Sequence, residues 1–328
     1  MKVTVIGAGA IGSVVAGLLA GAGAQVNVVE RGSRREVIAR DGLRYRLGDQ
    51  PLAQASVHLA DAADLPVQDV VFLAVKSHVL PVVLADIGGL LGAHTRVVPL
   101  VNGVPWWYFH GQAGATVRHV ETVDPGARAL QALAPSHLVG SVVYITAALA
   151  ADGVAHATGP QRLVIGDVLG GITAHTRALG QRLDAAGITT RLSEDIRSDL
   201  WTKVALNLAT NPLSVVSESH LDAQFNRPDL RASVDAVLCE AIGLAQHYGV
   251  QPSMPFDDMI ATGQRVGAFA TSMLQDYRAG RPLELAAIGY AVLELAEQAG
   301  HAMPVARSIV GLAAYKSERA LAALRGAA

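Results

Sequence analysis

Short apolar runs separated by small or polar stretches mark the first half of the chain. Lys2–Ile6 is β-branched, Gln25–Glu30 is a second such run, Asp69–Val75 (DVVFLAV) a nearly wholly apolar third, and Arg96–Val101 (RVVPLV) a fourth. Runs that are apolar at almost every position suit strands buried on both faces. Between the first two, Ile11–Ala22 is small, apolar and helical in character. That alternation predicts a parallel sheet covered by helices. Further strands are expected over Gly140–Leu149, Val154–His156 and Arg162–Ile165, punctuated by turns at Asp152-Gly153 and Gly159-Pro160. From about Ser193 the texture becomes Ala/Leu-rich at a helical period, as in Ala232–His247 and Leu285–Ala299, with Gly249 and Gly300 just past the two helices. The expected organisation is an α/β domain over residues 1–192 followed by an all-α domain over 193–328. Pro105–Pro135, with Trp106-Trp107-Tyr108-Phe109-His110 at its head, fits neither period. It reads as a long excursion whose aromatics form a satellite core, ahead of a lid over a cleft.

Composition sharpens this picture in three ways. With 328 residues the chain suits two cores, and 51% hydrophobic against 16% charged residues supplies them amply. A formal charge of −2 provides no basic stripe for nucleic acid and no polybasic membrane patch. Cys239 is the single cysteine, so no internal disulfide forms and a reducing compartment, the cytoplasm, is expected. The opening segment lacks the basic region of a secretory signal, and no long purely apolar run predicts a membrane span. No metal-ligand spacing is visible.

The first chemical signal is Gly7-Ala8-Gly9-Ala10-Ile11-Gly12, which follows a strand and opens a helix. Gly7 permits the tight turn, Gly9 lets the backbone approach a pyrophosphate, and Gly12 lets the helix pack close to the strand. Phosphates are favoured at the helix N-terminus beyond it. This is the signature of a Rossmann-like dinucleotide-binding domain. Glu30, 18 residues beyond Gly12, would accept from a ribose 2′-hydroxyl and so favour NAD. Arg31, with Arg34 and Arg35 nearby, would pair with a 2′-phosphate and favour NADP. The balance leans to NADP, with NAD left open by Glu30. A flavoprotein would also begin in this way, but should carry a Gly-Asp flavin segment late in the chain. Gly166-Asp167 is the nearest candidate, and it lies mid-chain.

Lys76 and Asn102 end the third and fourth apolar runs, where ligands bind in open parallel sheets. Lys203, Asn207 and Asn211 recur at i, i+4, i+8 on an otherwise apolar helix, so they share one face and line a polar cleft. Pro212 is expected to end or kink that helix. Together with Arg31, Asn102-Gly103, the Trp201–Pro212 pattern, Thr271–Asp276 and Leu283-Glu284, these motifs resemble the ketopantoate reductase family from Met1 to about Tyr315. The resemblance implies that Lys203 is the general acid and that Glu284 orients substrate and influences Lys203. It implies that Asn102, Asn207, Asn211 and Ser272 bind substrate. Gly7, Gly9, Ala10, Ile11, Gly12, Arg31, Lys76 and Asn102 would bind the cofactor. The implied reaction is NADPH-dependent reduction of 2-dehydropantoate to pantoate, for pantothenate and coenzyme A synthesis, in a monomer or homodimer.

Two other readings stand beside it. One is a sister 2-oxo acid reductase or D-2-hydroxyacid dehydrogenase, using NAD in place of NADP. The other is a nucleotide sensor without turnover, which retention of both Lys203 and Glu284 disfavours.

Overall fold

In a computed structural model of the chain, residues 1–111 and 118–326 are described. The chain divides into two compact units. The first comprises residues 1–101, 109–119 and 126–196; the second comprises 102–108, 120–125 and 197–328.

In the first unit, β1 (Lys2–Ile6), α1 (Ala10–Gly21) and β2 (Gln25–Val29) form the opening β-α-β element, followed by α2 (Gly32–Asp41). Then come β3 (Leu43–Leu47), β4 (Ala53–Ala55), β5 (His58–Leu59), β6 (Val70–Leu73), α3 (Leu80–Asp86) and β7 (Arg96–Pro99). The sheet order is β5-β2-β1-β6-β7, all parallel, with Ile6 in register with Val29 on one side and Leu73 on the other. Val3, Val5, Phe72, Val97 and Val98 are fully buried, as strands covered on both faces require. Helix α1 is apolar nearly all round and buries Val14, Val15, Ala16 and Leu19. Each buried valine or leucine among them contributes roughly 1.5–3 kcal/mol of burial.

After α4 (Arg128–Ala132), β8 (Val139–Val143), β9 (Ala147–Leu149), β10 (Ala155–Ala157), β11 (Arg162–Asp167), α5 (Ala174–Ala185) and β12 (Thr189–Leu192) complete the unit. They form two smaller sheets, β4-β3-β10-β9 and β12-β11-β8. The run expected as one strand over Gly140–Leu149 is therefore two strands in different sheets. Asp167, the flavin candidate, accepts from the Thr173 amide at 2.7 Å and the Thr176 hydroxyl at 2.9 Å, so its carboxylate serves the start of α5.

The second unit is helical: α6 (Ile196–Ser217, from Arg197), α7 (Leu221–Asn226), α8 (Pro228–His247), α9 (Phe256–Arg265), α10 (Ser272–Arg278), α11 (Ala291–Ala299) and α12 (Pro304–Gly326). A π-helical turn at Ala286–Tyr290 leads into α11. Helix α8 buries Val234, Val237, Leu238, Ala241, Leu244 and Ala245, the spacing of one helical face. Among the described residues no helix is long and apolar enough to cross a membrane.

Helix α6 does not end at Pro212 but runs through it to Ser217. The proline removes one backbone donor, and side chains knit the same stretch. The Asn211 amide donates to the Asn207 carbonyl (3.1 Å), the Thr210 hydroxyl to Leu206 (2.7 Å) and the Ser214 hydroxyl to Asn211 (2.6 Å). Apolar burial around Val204, Leu208, Leu213 and Val215 holds the rest.

Of the aromatic excursion, Trp106, Trp107 and Tyr108 are buried. Within the second unit the Trp201 indole donates to the Tyr108 hydroxyl at 2.8 Å, and Tyr108 meets both Trp201 and Tyr248 edge-on. Residues 112–117 of the excursion lie outside the described residues.

Candidate functional site

In the first unit, the C-terminal ends of β1, β2 and β6 border a cavity of about 350 Å³. Gly7, Gly9, Glu30, Arg31 and Lys76 line it, and Val75, Val79, Val82, Val83 and Ile87 supply an apolar wall. Gly7 has φ +92°, and a Cβ there would stand 2.7 Å from the Ala74 carbonyl oxygen, so glycine is required. A Cβ on Gly12 would collide with the Gly7 carbonyl. Gly9, by contrast, faces open space and precedes α1 as its N-cap. Ala10 and Ile11 form the first turn of α1, whose backbone N–H groups can donate to a phosphate. These features fit a dinucleotide: an apolar slot for a base, a bare backbone at Gly9, and a helix N-terminus for the pyrophosphate.

The charged residues around this turn divide into fixed and exposed ones. The Glu30 carboxylate accepts from the Ala8 amide at 2.5 Å and from the Arg31 amide at 2.9 Å. The Arg34 guanidinium donates to the Ala8 carbonyl (2.7 Å), the Ser13 hydroxyl (2.9 Å) and the Gly153 carbonyl (2.8 Å). Burial lowers its pKa, against the opposing charge of Glu30. Arg35 donates to the Glu30 and Ala60 carbonyls and pairs with Asp61 at 3.1 Å. Arg31 stands largely in solvent and pairs with Asp86 at 3.3 Å. Sequence reasoning placed Arg34 and Arg35 with the phosphate-seeking charges. They are instead held within the unit, Arg34 by Ala8, Ser13 and Gly153 and Arg35 by Glu30, Ala60 and Asp61, and neither Ala8 nor Asp86 was singled out.

In the second unit the partly buried Lys203 ammonium donates to Asn102 Oδ1 at 2.7 Å. Burial lowers the Lys203 pKa from 10.5 to about 8, and Glu284 raises it against that trend. Lys203, Asn102 and Glu284 are thus brought together. Asn207 is partly buried one turn beyond Lys203 on the same helix. Asn211 is buried, and its amide group is spent on the Asn207 carbonyl. Ser272 is exposed at the first residue of α10 and has no hydrogen bond to this cluster among the described residues. Its neighbour Thr271 caps α10 by accepting from the Leu274 amide (3.1 Å), and its hydroxyl lies 2.6 Å from that of Ser214 on α6.

Two contacts to the backbone tie segments of this unit together, and neither was visible in residue types. The Val104 amide donates to the Ala287 carbonyl at 2.9 Å, in the π turn just after Glu284. Gly103 has φ +79°, and a Cβ on it would collide with that same carbonyl. The segment carrying Asn102 is therefore stapled to the turn that follows Glu284. Likewise, Glu294 on α11 accepts from the amides of Glu121 (2.7 Å) and Thr122 (2.8 Å).

Comparison with known proteins assigns both units. The family Ketopantoate reductase PanE/ApbA matches residues 3–170, and Ketopantoate reductase PanE/ApbA C terminal matches 195–317. A 2-dehydropantoate 2-reductase of Mesorhizobium japonicum is 36% identical over 315 residues, 95% of this chain and 96% of the relative. A crystal structure of a candidate ketopantoate reductase from Ralstonia solanacearum superposes with a TM-score of 0.90 at 32% identity, covering 97% of this chain and 98% of the other. A D-mandelate dehydrogenase solved with NADH and anilino(oxo)acetate has a TM-score of 0.84 over 98% of this chain and 99% of its own. At 19% identity it shows likeness of fold alone.

Proposed function

Because the chain belongs to the ketopantoate reductase family, we propose that it reduces the keto group of 2-dehydropantoate, giving pantoate for pantothenate and coenzyme A synthesis in the cytoplasm. A nicotinamide dinucleotide held by Gly7–Gly12, with Arg31 and Lys76 at its rim, supplies the hydride to C2 of the substrate when bound. Lys203 gives its ammonium proton to the carbonyl oxygen as that hydride arrives, leaving a neutral amine and a 2-hydroxy acid. Hydride addition builds negative charge on oxygen, so a cation and acid at that atom stabilises the transition state. Asn102 fixes the direction of the Lys203 ammonium, and Glu284 keeps it protonated against burial. Asn207 and Ser272 offer polar groups to the substrate carboxylate and hydroxyl, while Asn211 holds Asn207 in place through its carbonyl.

The observation that carries this reading is the Lys203 ammonium, desolvated to a pKa of about 8 and held by Asn102 at 2.7 Å. An acid tuned near neutrality is what proton transfer at a carbonyl demands. The reading is supported by the course of the chain, since Asn102 follows β7 by three residues. The proposed domains, 1–192 for the dinucleotide and 193–328 for substrate and catalysis, divide these roles. A panel of 2-oxo acids, including 2-dehydropantoate and aromatic analogues, assayed with both reduced nicotinamides tests it. Turnover of 2-dehydropantoate is expected above that of the others. Preference for an aromatic 2-oxo acid would place the chain with the sister reductases.

A further inference from the structure

We propose that Glu30 makes the nucleotide cavity of the first unit a site for NADH in preference to NADPH. The inference rests on the reductase reading above and names its hydride donor. A ribose 2′-hydroxyl is a donor, whereas a 2′-phosphate is an acceptor carrying nearly two negative charges. The residue that meets either group lies at the end of the second strand of the β-α-β element. Here that residue is Glu30, and its carboxylate is fixed in place. One oxygen accepts from the Ala8 amide and the other from the Arg31 amide, at 2.5 and 2.9 Å. An ionised carboxylate offers about four acceptor positions and no donor. It retains capacity for a hydroxyl proton and repels a phosphate.

The cations that would offset that repulsion are engaged elsewhere. Arg34 spends its guanidinium on Ala8, Ser13 and Gly153, and Arg35 on Glu30, Ala60 and Asp61. Arg31 remains at the rim, but Asp86 lines the same cavity and pairs with it at 3.3 Å. An exposed pair of this kind is weak and leaves Arg31 free to turn, so the fixed charge of Glu30 decides. Lys76 follows β6, and β1 lies between β6 and β2. Lys76 also lines the cavity, but its backbone stands two strand spacings, about 10 Å, from β2. Beside Arg31 the cavity lining thus holds two carboxylates, Glu30 and Asp86.

The test is a binding titration, with the enzyme's tryptophan fluorescence read against NADH and NADPH in the absence of substrate. NADH should bind at least about tenfold more tightly, the smallest effect expected of a fixed carboxylate beside a phosphate. Glu30→Gln keeps the shape and the acceptor for Ala8 while removing the charge. It should narrow the ratio of the two dissociation constants by about tenfold or more. Asp86→Asn, at the surface, should narrow it in the same direction by less, and stands in should Glu30→Gln fail to fold. Equal or tighter binding of NADPH by the unmodified chain overturns the proposal, as does a ratio unmoved by these substitutions. Steady-state kcat/KM with both nucleotides separates the two inferences. Tighter NADH binding with no turnover of any 2-oxo acid defeats the reductase reading alone, while brisk NADPH-preferring turnover defeats this one alone.

Discussion

The pH dependence of hydride transfer follows from the surroundings of Lys203. Burial takes its ammonium from 10.5 down to about 8, and the Glu284 carboxylate limits the fall. An acid works only while protonated, so the chemical step should hold a plateau below about pH 8 and decline as pH rises through that value. One pH unit above the break about a tenth of the lysine retains its proton, and the rate falls about tenfold. Glu284→Gln keeps the side-chain volume and removes the opposing charge. An opposite charge at close range moves a pKa by about 1–3 units, so the variant's break should fall to about pH 7 or below. At pH 8 the variant then runs at about a tenth of its own plateau, where the unmodified enzyme runs at about half. Single-turnover decay of reduced-nicotinamide absorbance across the pH range measures both curves, and a deuterated hydride donor confirms that chemistry is being observed. The same shift has a stability sign. The unfolded lysine holds its proton up to about pH 10.5 and the folded one only to about 8, so stability rises with pH between those values. The full shift corresponds to roughly 3 kcal/mol. A break near pH 10 would mean a lysine in water-like surroundings. A break that stays put in Glu284→Gln would remove that carboxylate from the step.

Other substitutions probe the same framework. Lys203→Ala should lower kcat by ~10²–10⁴-fold, the usual range for a lost general acid, while NADH titrations stay close to those of the parent; a near-normal rate would exclude Lys203 from the chemistry. Gly103→Ala drives a Cβ into the Ala287 carbonyl and displaces Asn102 beside it, so kcat should fall by about 10²-fold, as for misplacements of about 1 Å. Unchanged kcat in that variant would show that the staple to the π turn does not position the acid. Trp201→Phe removes the buried bond to the Tyr108 hydroxyl and should cost about 1–3 kcal/mol in denaturant unfolding, with an unaltered curve denying the aromatic segment a part in the second unit's core.

Much of the parallel sheet is legible along the chain because β1, β2, β6 and β7 are covered on both faces and so read as apolar at almost every position. The outer pieces are not. Leu43–Leu47 alternates Arg44 and Arg46 with apolar residues, the period of a strand covered on one face, so a reading by continuous apolar runs passes over it, and β4 and β5 span only three and two residues, too few for any period. Helix α2 buries Ile38 alone, so it shows no apolar face to read. At Pro212 the helix does not end, because local preference gives way to burial along α6. In the candidate site, the shared face of Lys203 and Asn207 follows from helical spacing. The juxtaposition of Lys203 with Asn102 and Glu284, 101 and 81 positions away, is reached only through resemblance to a family.

The residues that escape a reading by type share a physical cause: one partner in each of their contacts is the backbone. Glu30 accepts from the Ala8 amide, Arg34 grips the Ala8 carbonyl, Ala287 receives the Val104 amide, and Glu294 receives those of Glu121 and Thr122. Nearly every residue carries an amide and a carbonyl, so positions 8, 104, 121, 122 and 287 need no distinctive side chain to serve. Only the other partner is marked, and its mark is ambiguous. A glutamate that closes on its own loop and a glutamate that awaits a ribose look identical in sequence. In this fold Glu30 is suited to both roles, because its two backbone donors hold the carboxylate still and leave acceptor capacity for a hydroxyl. The same immobility that hides its role in the sequence is what gives its charge authority over the nucleotide's 2′ position.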